Sequence, residues 1–147
     1  MKPPYRLKKL YILIISVALM LTFGAVLLQR LSRQQPILEE AALARARQAF
    51  AEAVALVRLQ WQQQGRPAQL SWRGKDIGVN RLGWPQPPEG DCEALWRLLL
   101  DGRPRLLATP IAITERPGPR GDRLCHYRLG AWGFSYWPGS GRVTTDS

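Results

Sequence analysis

Residues Leu10–Leu28, LYILIISVALMLTFGAVLL, contain no charged side chain and no Asn, Gln, His or Pro. As a helix rising about 1.5 Å per residue, this run is about 28 Å long, which matches the ~30 Å hydrocarbon core of a bilayer. A helix packed in a water-soluble protein keeps a polar face, and this run has none. The hydroxyls of Ser16 and Thr22 are tolerated because each can bond a carbonyl one turn back. The run predicts a transmembrane helix over 10–28, a short tail over 1–9, and a small domain over 29–147.

The flanks set the expected orientation. Lys2, Arg6, Lys8 and Lys9 precede the apolar run with no acid among them, while Arg30 and Arg33 follow it. The positive-inside rule then places the tail in the cytoplasm and the domain in the periplasm, with the chain crossing the inner membrane once. A cleaved signal peptide carries a shorter apolar stretch and a small-residue cleavage site, whereas Gln29, Arg30, Leu31, Ser32 and Arg33 follow here. An uncleaved anchor is the expectation. Cys92 and Cys125 are the only cysteines, both beyond the span, and their spacing fits no CxxC metal or redox motif. A pair in a small exported domain predicts a disulfide, adding about 3–4 kcal/mol by the loop-entropy argument.

Beyond the span, Leu31–Gln35 reads as a polar bridge. Residues 36–64 then form a strong helix-forming stretch that stops at Gly65 and Pro67. Pro36 can start this helix or kink one that continues from the span. Leu43, Ala46, Phe50, Val54, Val57 and Trp61 recur at steps of three and four, an amphipathic stripe, while Arg45, Gln48, Glu52 and Gln63 fall off it. The stripe fits either a partner helix or the chain's own sheet. The second is favoured because the remaining chain reads largely as strands that need a cover.

Residues 65–147 read as follows. Gln69–Asn80 alternates as a hairpin or short edge strands, with Arg73, Gly74 and Lys75 near the turn. Arg81–Gly90 is a proline-rich loop. Asp91 caps a short helix, Cys92–Leu100, stopped by Gly102 and Pro104. Leu106–Thr114 reads as a strand in which Pro110 marks an edge or a bulge, and Glu115–Gly121 as a loop. Leu124–Leu129, Ala131–Trp137 and Arg142–Thr145 read as strands. The predicted class is α+β: a transmembrane helix continuing into an amphipathic helix packed on an antiparallel sheet.

The chemistry on offer is sparse. The net charge of +10 invites a nucleic-acid reading, but the cations are scattered without a run or recognition motif, so no nucleic-acid partner is expected. His126, the single histidine, excludes a multi-histidine metal site and reads as a packed or surface residue rather than a general base. Glu39, Glu40, Asp91 and Glu93 sit at helix starts, where the dipole favours acids. No glycine-rich phosphate loop and no nucleophile elbow is present. Neither catalytic residue, cofactor, metal nor small-molecule substrate is expected. Six tryptophans are many for this length, with Trp137, beside a turn, the one expected to be exposed.

The layout of span, amphipathic helix, antiparallel sheet and distal cysteine pair resembles type IV pilins and the pseudopilins of type II secretion. The ending YWPGSGRV is similar to the pilin hairpin in which an aromatic strand meets a P-x-[ST]-G turn. Three short motifs resemble the MshF-like biogenesis proteins of MSHA-type pili: W-x(3)-G-x-P (Trp61, Gly65, Pro67), N-x-x-G-W-P (Asn80, Gly83, Trp84, Pro85) and C-x-x-L-W-x-x-L-L (Cys92, Leu95, Trp96, Leu99, Leu100). The resemblance implies a pilin-like fold and a non-enzymatic role among pilus or pseudopilus assembly proteins. A prepilin carries a Gly before its apolar run and a Glu soon after the cut, and neither accompanies Leu10–Leu28. That departure implies an uncut accessory protein held in the inner membrane. A different class, a membrane-anchored periplasmic glycan binder or enzyme, would use a tryptophan-rich surface.

Overall fold

The computed structural model describes residues 4–119 and 121–146. Lys2 of the basic tail and Arg120 of the Glu115–Gly121 stretch lie outside them. The chain falls into two compact units, Met1–Ile37 and Leu38–Ser147. Helix α1 spans Tyr5–Gln63 with Pro36 inside it. The helix therefore does not restart at Pro36; the ring removes one donor, and the bond to the Ser32 carbonyl that a helix would make there is missing. The Leu31–Gln35 bridge is helical too.

In the first unit, Leu10–Leu28 is helical and its large apolar side chains are exposed all round, from Leu10 at 60% through Met20 at 78% to Leu28 at 70%. The segment is long and apolar enough to cross a membrane. Ser16 Oγ donates to the Ile12 carbonyl at 2.9 Å and Thr22 Oγ1 to that of Leu19 at 2.9 Å, the back-bonding that lets hydroxyls enter such a helix.

In the second unit, α1 ends in a Schellman motif: Gly65 sits at φ 81° and the Arg66 N–H returns to the Trp61 carbonyl at 2.9 Å. Strands β1 (Gln69–Trp72) and β2 (Lys75–Gly78) form the expected hairpin, turning through Arg73 and Gly74, both at positive φ. A 3-10 turn, Pro88–Gly90, leads to α2, Cys92–Leu100. Asp91 caps α2 as read from the sequence, accepting from the Glu93 and Ala94 N–H groups at 2.8 and 3.1 Å. Its C-terminal left-handed residue is Asp101, φ 49°, rather than Gly102.

Leu106–Thr114 is not one strand. β3 (Arg105–Leu106) and β4 (Thr109–Pro110) form a minimal hairpin through Leu107 and Ala108, and β5 begins only at Ala112. β5 (Ala112–Pro117) also claims Glu115, Arg116 and Pro117 of the expected Glu115–Gly121 loop, because all its residues pair with β6 (Arg123–Leu129). Pro117 is tolerated at the end of an edge strand, where no ladder donor is required. β7 (Trp132–Trp137) and β8 (Arg142–Asp146) complete a four-stranded antiparallel meander ordered β5-β6-β7-β8.

The inner face of that sheet receives the helices. Tyr127, Phe134 and Tyr136 are fully buried, and Phe50 of α1 stands among them with ring centroids 5.3–5.6 Å away. Trp96 of α2 closes the cluster 5.2 Å from Tyr127. The α+β class is as expected; the sheet proper has four strands, and the remaining four lie in two separate ribbons.

Candidate functional site

All six stripe residues are core: Leu43, Ala46, Phe50, Val54, Val57 and Trp61 are each 8% exposed or less, joined by Ala53. They are spent on the chain's own sheet and offer no surface to another helix. What α1 presents outward in this unit is the opposite face, with Ala44, Gln48, Glu52, Ala55, Leu56 and Leu59 exposed. Leu56 and Leu59 each keep half of their surface in solvent.

Cys92 and Cys125 form a disulfide with Cα atoms 5.5 Å apart, joining the first turn of α2 to β6. Beside it Tyr127 Oη donates to the Cys92 carbonyl at 2.8 Å, and across the sheet Tyr136 Oη donates to the Pro85 carbonyl at 2.8 Å. Burial pushes both phenols well above the usual tyrosine range, with Tyr136 and Asp91 adding to the effect at Tyr127.

Two of the three sequence motifs meet at one seam, while the third, on α2, lies in the core with Trp96 against Phe50 and Tyr127. Trp61 Nε1 donates to the Pro67 carbonyl at 2.9 Å, so the first motif closes the end of α1 on itself. Asn80 Oδ1 accepts from the N–H groups of Leu82 and Trp84 at 2.9 and 3.0 Å, while its Nδ2 reaches the Pro138 carbonyl at 3.1 Å. Gly83 lies flat on the Trp61 indole, where a Cβ would come within 2.3 Å of the ring. Gly141 does the same on Trp84, at 2.1 Å, and Arg58 covers Trp84 with its guanidinium 4.2 Å from the ring centroid. Loop, helix end and the β7–β8 turn are thus clamped through tryptophan faces.

The tryptophans do not share an exposed surface. Trp61, Trp72 and Trp96 are buried, and Trp84 and Trp137 are partly covered. Trp132, not Trp137, is the exposed one, at 36%. It lines a cleft of about 220 Å³ with Glu40, Arg47, Thr145 and Asp146.

The outer face of the sheet holds a polar cluster that the sequence did not single out. His126, 4% exposed, places Nδ1 2.7 Å from Asp146 Oδ2 and 3.1 Å from Ser135 Oγ, and Ser135 Oγ donates to the same carboxylate oxygen at 2.5 Å. Hydrolase triads use opposite ring nitrogens for serine and carboxylate. Here both meet Nδ1, so the imidazole is not placed to take the serine proton through Nε2. Nδ1–H goes to the carboxylate, and Nε2 is left without a protein partner among the described contacts. Strand alternation alone puts His126 and Ser135 on one face. Asp146 could not be read, because its pairing needs the register across β6, β7 and β8. Among the described residues no three His, Cys, Asp or Glu side chains gather as metal ligands.

What the fold and these contacts define is a disulfide-linked α+β domain on a long N-terminal helix that carries an apolar segment of membrane-spanning length. No family model matches the chain, and neither a curated protein nor a solved structure matches it.

Proposed function

We propose that this protein is a non-enzymatic, single-pass inner-membrane component of a type IV pilus, of the MSHA kind, or of a related type II secretion assembly, acting through protein–protein contacts. In this reading the tail is cytoplasmic, the span is uncut, and the disulfide-linked domain is periplasmic and pilin-like. The observation that carries it is the Leu10–Leu28 segment, whose apolar side chains find no protein to cover them and are at ease only in lipid or against other spans. The rest fits: the stripe of α1 is consumed internally, the motif residues build the scaffold, and the outward face of α1 is left for neighbours.

The test is in vivo photocrosslinking from Ala44, Ala55 and Leu59, with Phe50 as the buried control, followed by mass identification of captured proteins. Pilus or secretion assembly proteins captured from the three outward positions and not from Phe50 support the reading. Adducts confined to unrelated proteins, or a native mass lacking the apolar segment, would overturn it.

A second reading, a membrane-anchored glycan binder, is favoured by the cleft where exposed Trp132 stands beside Glu40 and Asp146. Retention on cell-wall polymer that disappears in Trp132→Ala would favour it over pilus-protein capture.

A further inference from the structure

Strands β5 and β6 pair so that Thr114 faces His126, Ala112 faces Arg128, and Arg116 faces Leu124. Alternation puts all six on the outer face, away from Phe50 and the aromatic core. The two arginines stand at diagonal corners around the Thr114–His126 pair. They line, with Thr109, Thr114 and His126, a groove of about 350 Å³. Neither Arg116 nor Arg128 has a carboxylate partner among the described ion pairs. Arg128 is aimed by its Nε, which donates to the Gly130 carbonyl at 3.1 Å and leaves the other guanidinium nitrogens uncommitted.

His126 makes this more than two surface arginines. Its ring is nearly fully buried yet lines the groove, and Asp146 and Ser135 pin it from the Nδ1 side. With Nδ1–H given to the carboxylate, a ring held that firmly presents Nε2 at a fixed place as a hydrogen-bond acceptor. The one acid of the cluster, Asp146, is engaged on the opposite edge of the ring and by the Ser135 hydroxyl, away from the Nε2 edge.

We propose that this groove binds a protonated oxyanion, the hydrogen-phosphate group of a small polar ligand, between Arg116 and Arg128, with its P–OH donating to Nε2 of His126 and the Thr114 hydroxyl as a further donor to the anion. The paired forks supply charge-assisted hydrogen bonds, and the fixed imidazole supplies the geometry that separates a site from a diffuse basic surface. This site is independent of the helix face invoked for pilus contacts.

The test is calorimetric titration of the full chain in dodecyl maltoside with inorganic phosphate and, separately, acetate. Saturable binding of one anion per chain is expected, weakened about tenfold by Arg116→Gln and by Arg128→Gln and unchanged by Arg45→Gln on α1. His126→Gln should weaken it as well; the arginine variants, on exposed positions, keep the test valid if that variant fails to fold. Phosphate, which keeps a P–OH to donate to Nε2 at neutral pH, should bind more tightly than acetate, which has none; equal or tighter acetate binding would overturn the proposal. Absence of saturable binding to either, or equal weakening by Arg45→Gln, would overturn the proposal.

Discussion

The hydroxyl of Tyr127 hydrogen-bonds the carbonyl of Cys92 at 2.8 Å, and the sulfur of that same Cys92 is bonded to Cys125, two residues before Tyr127 on β6. One strand thus grips the first turn of α2 twice, once covalently and once by a buried hydrogen bond. Tyr127→Phe should cost about 1 kcal/mol, since it removes a buried hydrogen bond from a carbonyl that keeps its bond within α2. Removing both cysteines as serines should cost about 3–4 kcal/mol by loop entropy. Because both links hold one turn, their effects should not add. A double-mutant cycle by urea unfolding checks this, and strict additivity would show the two grips to be independent.

Alkali should unfold the domain through the same tyrosines. Both phenols are buried and neutral, with ionisation raised above the unfolded value of about 10 by burial. The native state therefore holds its protons more tightly than the unfolded chain. That stabilisation is complete below about pH 10 and is lost as pH rises through the range above it. Melting temperature should be flat from neutral pH to about 9.5 and fall steeply beyond. In Tyr127→Phe/Tyr136→Phe the alkaline fall should become shallower, although the variant starts from a lower stability.

Glycine at 83 and 141 is dictated by tryptophan faces. Each sits at positive φ, and a methyl group would be driven into Trp61 or Trp84. Gly83→Ala and Gly141→Ala should each cost about 2–4 kcal/mol, the sum of overpacking and left-handed backbone strain. Gly74→Ala has the same backbone requirement at φ 76° but open space around it. It should cost only about 1–2 kcal/mol. Thermal melts of the three variants separate the two contributions.

The sequence was most legible where signals were local. The bounds of α2 followed from the Asp91 cap and the glycine and proline beyond Leu100, and the stripe from Leu43 to Trp61 followed from its period. The disulfide followed from there being two cysteines in a domain read as exported. It misled where conformation is set without a side-chain cue. Leu107 and Ala108 carry nothing that announces positive φ, so a hairpin passed for a strand. His126 is packed, as read, but Asp146 comes to it only through strand register. Trp132 stands on the helix side at the edge of the α1 cleft, whereas Trp137 projects on the opposite face beside Gly118 and Pro119 of the β5–β6 connection, a contact that no local signal announces.

That misread hairpin supplies a sharp test of its geometry. The two-residue turn between β3 and β4 places Leu107 at φ 50° and Ala108 at φ 63°. Both central residues at positive φ is the I′ pattern, which favours Asn-Gly because other residues are strained there. Leu107 is 54% exposed, so replacing it forfeits little burial. Relief of strain at two positions should outweigh the larger unfolded-state entropy that glycine brings. Leu107→Asn/Ala108→Gly should therefore stabilise the domain by about 1 kcal/mol, raising its melting temperature by about 4–8 °C for a domain of this size. If Leu106–Thr114 were instead one continuous strand, the same change would put a flexible glycine inside it and lower the melting temperature. The sign of the shift decides between the two.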